Sequence, residues 1–159
     1  MTAVIRQGRR LALDVGVRRI GVAVSDPLGV VGSPGAEQVV RTGDEERDLE
    51  LIGRWISRYE PVEVVVGLPL RTDGRAGEAA RLVEAFAAKV QERFAVPVVL
   101  WDERFSTVIA ENILIEGRVR RRARRQVRDS VAAAVILQSY LEHLRRQAEA
   151  GGFSDDREG

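Results

Sequence analysis

Three acidic residues, Asp14, Glu103 and Asp129, stand where the hydrophobic pattern of the chain can bring them together. Asp129 opens a helical stripe with Ala132, Ala133, Ile136, Leu137 and Tyr140 at i+3, i+4, i+7, i+8 and i+11, and its first turns are small apart from the acid. Asp14 lies in a strand whose one face reads Ala12, Asp14 and Gly16, continued on the next strand by Gly21, Ala23 and Ser25. A small helical face can lie close to a small sheet face, so the two carboxylates would meet with little bulk between them. Glu103 follows the apolar run that ends at Trp101. At the carboxyl end of a strand beside the first, it could complete the cluster from the side. Converging carboxylates repel and raise one another's pKa unless a cation sits among them. With no cysteine and a single histidine, His143, any metal must be held by oxygen, which points to Mg²⁺ or Mn²⁺. Two such ions ~3.5–4 Å apart are the usual apparatus for hydrolysing a phosphodiester, one activating water and the other stabilising the leaving oxygen.

A second feature is basic. Seven of the eleven positions from Arg118 to Arg128 are arginine (Arg118, Arg120, Arg121, Arg122, Arg124, Arg125 and Arg128), and none is acidic. A loop of this kind directly before Asp129 would hold a phosphate backbone at the rim of a metal site without reading bases. Arg104, next to Glu103, is a further candidate phosphate contact. Net charge is only +1, from 25 basic and 24 acidic residues, so any polyanion would be held by this local distribution and not by the field of the whole molecule.

The elements that must position these groups are legible in the periodicity. Arg9 to Val15 and Arg19 to Ser25 read as a hairpin, with Leu11, Leu13, Val15, Ile20, Val22 and Val24 on the larger apolar face. A third strand falls between Val30 and Val40, interrupted by Gly32, Pro34 and Gly35. Helix is expected over Asp44–Tyr59, strand over Val62–Val66, and a glycine- and proline-punctuated loop over Val66–Gly77. A helix to Phe94 follows, with Leu82, Val83, Phe86 and Val90 inward, then the strand Val96–Trp101. A short helix to Glu116, the arginine-rich loop and a last helix from Asp129 to about Gln147 complete the order. This makes a mixed α/β sheet of about five strands.

At 159 residues the chain allows one domain, taken here as 1–148, with 149–159 expected to be a disordered tail. The longest apolar runs are far short of a membrane span, there is no signal-peptide pattern, and the absence of cysteine suits the cytoplasm. No phosphate-cradling glycine motif of the GxGxxG or GxxxxGK[ST] kind is present.

Four stretches carry a family resemblance. LALDVGVRRIGVAVSD (Leu11–Asp26), VGLPL with a following DG (Val66–Leu70, Asp73, Gly74), WDERFST (Trp101–Thr107) and VRDSVAAAVILQSYL (Val127–Leu141) resemble, in order and spacing, the YqgF/RuvX family over about residues 9–144. The resemblance implies a ribonuclease H-like fold, with three antiparallel and then two parallel strands flanked by helices. It implies a bacterial cytoplasmic, metal-dependent nuclease, described both as a Holliday junction resolvase and as a nuclease maturing the 5′ end of pre-16S ribosomal RNA. The family's acidic triad falls on Asp14, Glu103 and Asp129. Asp26, Asp73 and Asp102 are candidates for a fourth carboxylate. Val17 stands where many relatives have a small polar residue, and the basic loop, usually lysine-rich, is all arginine here.

Plainer readings stand beside these. Asp14 could be a turn residue, Asp129 a helix cap, and Glu103 the partner of an arginine. Two other functions compete: an ATP-using phosphotransferase of the actin and sugar-kinase type, which needs two such lobes where this chain supplies one, and a non-catalytic nucleic-acid-binding module. The partner expected is structured RNA or branched DNA, and the assembly a monomer or weak homodimer.

Overall fold

The computed structural model describes residues 7–29, 31–34, 39–105 and 128–158. Its first two strands, β1 (Arg10–Val15) and β2 (Arg19–Ser25), form the expected hairpin, with Asp14 directly across from Gly21. The turn is closed by the Gly16 amide donating to the Arg19 carbonyl at 2.9 Å, and a Cβ on Gly16 would come within 2.8 Å of that carbonyl oxygen. The third strand exists as two short pieces, β3 (Gly32–Pro34) and β4 (Val39–Val40), each antiparallel to β2. Their registers on β2 differ by two residues: Ala23 pairs with Pro34, and Ile20, three residues earlier, pairs with Val39, five residues later. Strands β5 (Glu63–Leu68) and β6 (Val98–Asp102) add in parallel on the other side of β1, giving the order β3-β2-β1-β5-β6 with β4 also on β2. The sheet is therefore antiparallel in its first part and parallel in its last.

Helix α1 (Glu45–Tyr59) starts at Asp44, whose carboxylate accepts the Glu46 amide, and carries acids in its first turn, where they suit the helix dipole. Helix α2 (Glu78–Phe94) joins α1 on one face of the sheet, over a core of Leu11, Leu13, Ile20 and Val22 packed with Ile52, Phe86 and Val90. Leu82, expected inward, is 66% exposed, because α2 turns its Val83, Phe86 and Val90 stripe to the sheet and leaves Leu82 on the flank. The last helix, α3 (Arg128–Glu158), lies on the opposite face, where Ala12, Ala23 and Val65 meet Ala133, Ala134, Ile136 and Leu137. The small face of the hairpin thus receives the small stripe of the helix, as the spacing predicts. Helical backbone continues past Gln147, so residues 149–158, expected to be a disordered tail, are helical; Ala148, Glu149 and Ala150 are good helix formers and propagation adds a bond per residue. The expected helix ending at Glu116 lies outside the described residues. No helix among the described residues is long and apolar enough to cross a membrane.

An interior ion pair fixes α3 against the sheet. Arg10 at the start of β1 donates through Nε to Glu63 Oε1 at 2.5 Å, and Tyr140 of α3 donates its hydroxyl to the same oxygen at 2.7 Å. Tyr140 therefore meets the beginning of β5, whereas Ile136, one turn earlier, lies against Gly67 near its end. So α3 runs antiparallel to β5, and the residues before Ile136 head toward the carboxyl edge of β1, β5 and β6.

Candidate active site

Strand β1 delivers Asp14 to that carboxyl edge, one residue beyond Leu13, which is in register with Val66 of β5. Strand β6 ends in Asp102, and Glu103 follows in a single 3₁₀ turn, Glu103–Phe105. Two hydrogen bonds tie this turn to α3: Trp101 Nε1 donates to Ser139 Oγ at 3.1 Å, and Ser139 Oγ donates to the Phe105 carbonyl at 2.7 Å. The Trp101 ring also packs edge-on against Tyr140 and lies 5.0 Å from the His143 ring. His143 is half-buried in this contact.

The carboxyl group of Glu103 reaches that of Asp14. Burial of Glu103 raises its pKa above the ordinary carboxylate value, and the Asp14 charge, the hydrogen bond with Asp14 and the charge of Asp102 push it further the same way. The close approach depends on Gly67. A Cβ there would stand 2.9 Å from Glu103 Oε1 and 2.5 Å from Ile136 Cδ1, so the missing side chain lets the strand, the carboxylate and the helix converge. Gly67 lies within the VGLPL stretch, but nothing in its local spacing marks it as the floor of the site. Gly67→Ala is expected to displace Glu103, lowering cleavage by about 10²-fold, as a misplacement of ~1 Å can. The activity assay checks this, with a thermal melt to show that the fold persists.

Of the three acids read from sequence, Asp14 and Glu103 are brought together. The backbone of Asp129 stands in the first turn of α3, seven residues before Ile136 and on the same stripe, while its side chain lies outside those described. Arg118, Arg120, Arg121, Arg122, Arg124 and Arg125 lie outside the described residues, and of Arg128 only the backbone is described. Arg104 is committed to Asp102: its Nε and Nη2 donate to both carboxylate oxygens at 2.7–3.1 Å, and its backbone amide adds a bond of 2.9 Å. This fork holds the Asp102 carboxyl below its ordinary pKa, despite some desolvation. Arg104 Nη1 also reaches 3.5 Å to the Thr72 carbonyl of the loop after β5, so β6 and that loop are joined beside the site. The remaining candidates for a fourth carboxylate do other work. Asp26 accepts the amides of Leu28 and Val31 at the opposite edge of the sheet, and Asp73 accepts the amide of Arg75 in its own loop.

Two carboxylates in mutual contact, both at the ends of parallel strands, form a donor set that an oxygen-seeking divalent cation suits. Without it the Glu103 charge is a cost to folding. Since its folded-state pKa is raised, that cost is absent below the ordinary carboxylate range and grows as pH rises through the shifted value. In EDTA at pH 7, Glu103→Gln is expected to melt a few degrees above the wild type, with the gap closing as pH falls toward 4. Scanning calorimetry across that range checks the sign.

Known proteins resemble this chain in sequence and in fold. A protein of Halothermothrix orenii named "Putative pre-16S rRNA nuclease" is 47% identical over 138 residues, covering 87% of this chain and 97% of its own. A protein of Geobacillus kaustophilus with the same name is 45% identical, covering 86% and 99%. Among solved structures, Thermus thermophilus RuvC in complex with a Holliday junction substrate superposes with a TM-score of 0.58 at 14% identity, covering 86% of this chain and 96% of that one. The fowlpox virus Holliday junction resolvase gives 0.56 at 16%, covering 85% and 99%. The fold is ribonuclease H-like, as the resemblance implied. The model of the RuvX family, described as Holliday junction resolvase, matches residues 8–143, and the chain belongs to that family.

Proposed function

We propose that the protein is a hydrolase, a divalent-metal-dependent nuclease that cleaves phosphodiester bonds of structured RNA, with the 5′ end of pre-16S ribosomal RNA as its substrate in the cytoplasm. The observation that carries this reading is the contact between the Asp14 and Glu103 carboxyl groups at the carboxyl edge of β1, β5 and β6. Asp14, Glu103 and Asp129 are the ligands proposed for Mg²⁺ or Mn²⁺, most simply a pair of ions. Bound there, the ions would supply Lewis acidity for the scissile phosphate and lower the pKa of the attacking water. The chain's own part is to hold the two carboxylates in place through Gly67, the Trp101–Ser139–Phe105 bonds and the Asp102–Arg104 fork. The arginines from Arg118 to Arg128, with the exposed edge of Arg104, are proposed to grip the substrate backbone.

The names of the relatives favour ribosomal RNA, and the family description favours a four-way DNA junction. Cleavage of a labelled precursor rRNA fragment and a labelled four-way junction, side by side with Mn²⁺, Mg²⁺ or EDTA, tests the reading. Metal-dependent cutting of the RNA supports it. Cutting of the junction alone moves the substrate to branched DNA, and binding without cutting of either leaves a non-catalytic nucleic-acid-binding module.

A further inference from the structure

We infer that the protein carries a second nucleic-acid contact, in which the groove between the β1–β2 hairpin tip and α2 holds the single strand leading away from the carboxylate pair. The inference rests on the nuclease reading for what lies at the site, but on separate residues for the contact itself. The groove has a volume of about 860 Å³ and begins where β1 ends: Val15 and Gly16, one and two residues after Asp14, line it together with Pro69 and Leu82.

Its charges are unequal. Arg18, Arg19, Arg41 and Lys89 face two carboxylates, Glu45 and Asp48. Both acids are already paired, Glu45 with Lys89 at 2.5 Å and Asp48 with Arg41 at 3.4 Å. That leaves Arg18 and Arg19, both exposed and neither in an ion pair among the described residues. Two adjacent arginines on a tight hairpin repel each other, and an anion between them would relieve that repulsion. The groove opens on the α1–α2 face of the sheet, with Val83 and Phe86 in its wall and Val15 and Gly16 at its end. The groove thus meets the carboxyl edge of the sheet at Gly16, two residues beyond Asp14.

The apolar part of the groove selects the form of the partner. Val17 at the hairpin tip is 91% exposed and Leu82 on α2 is 66% exposed. These are the most exposed large apolar side chains bordering the groove. A duplex stacks its base faces against one another and offers phosphates, sugars and base edges, whereas a single strand presents base faces that apolar side chains can cover. Cations on one side and uncovered apolar surface on the other fit a single-stranded polynucleotide, RNA or DNA.

The test uses labelled single strands of about twelve nucleotides, one RNA and one DNA, titrated by fluorescence anisotropy in EDTA so that no cleavage occurs. Arg18→Ala/Arg19→Ala is expected to weaken binding about tenfold and to lower the salt slope by about 1.4, at ~0.7 for each single-strand phosphate that the variant no longer neutralises. Leu82→Glu, an exposed change on α2, is expected to weaken binding by about fivefold or more, because it sets a carboxylate in the path of the backbone. Arg58→Ala, an arginine away from the groove, serves as the control and leaves binding unchanged. The arm that binds more tightly identifies the source of the strand, and equal binding assigns recognition to the shared phosphate and base chemistry. Wild-type affinity and slope in both groove variants overturns the inference, as does a wild type that binds neither strand or binds a duplex competitor equally well. Cleavage is read separately. A protein that cuts while its groove variants bind normally keeps the nuclease reading and loses the groove; weak binding by those variants in a protein that cuts nothing does the reverse.

Discussion

Asp14→Asn and Glu103→Gln are each expected to lower metal-dependent cleavage by about 10³-fold or more while leaving substrate affinity within about threefold of wild type. Each substitution keeps the shape of the side chain and removes one ligand charge. Metal-ion stabilisation of developing charge is worth several kcal/mol, and each 1.36 kcal/mol is a decade in rate. Binding, by contrast, depends on backbone phosphates held by arginines, which these substitutions do not touch. The two carboxyl groups share one contact, so the double variant is expected to be no slower than the worse single one. Single-turnover cleavage with saturating Mn²⁺ and anisotropy in EDTA separate the two quantities. Normal cutting by either variant would remove the carboxylate pair from the chemistry.

Glu63→Ala is expected to cost about 3 kcal/mol of stability. Arg10 and Glu63 are only 6% and 16% exposed, and one carboxylate oxygen accepts both the guanidinium and the Tyr140 hydroxyl. Deleting the acid takes the carboxylate from a buried cation and the acceptor from a buried phenol, which is the costly way to break such a network. For a chain of this size the loss corresponds to a fall in Tm of roughly 6–12 °C. Glu63→Gln retains an acceptor and is expected to fall between the two. Urea denaturation of the three proteins measures the difference, and a loss in Glu63→Ala below about 1 kcal/mol would show that the network is a bystander. The site is affected as well. Tyr140 lies on the helix that begins with Arg128 and Asp129, so loosening this clamp is expected to lower cleavage even at temperatures where the variant stays folded.

Much of the architecture was legible in local pattern because it depends on local physics. The alternation of large and small residues in the hairpin assigns its two faces, and the structure sets the large face on α1 and α2 and the small one on α3. The helix beginning at Asp44 follows from a capping carboxylate, early acids and an apolar stripe. Where several solutions satisfied the same pattern, the reading missed. Leu82 and Val83 are both apolar on a helix whose inward face is set by the sheet beneath it, and only one of them faces inward. The two pieces of the third strand pair with β2 in registers that differ by two residues, an offset that spacing does not settle.

By itself, the sequence determined the kinds of chemistry available and the elements that carry them: oxygen ligands without thiols, acids at the ends of elements, and an arginine run before the last helix. Tertiary structure alone decided which acids meet. It brought Glu103 onto Asp14 over Gly67, gave Asp102 to Arg104, and spent Asp26 on a turn at the far edge of the sheet. It also built the Arg10–Glu63–Tyr140 clamp from residues 53 and 77 positions apart. The physical reason is that periodicity reports which face of an element a residue occupies, whereas contacts across such separations depend on strand register and on how closely a helix can approach the sheet.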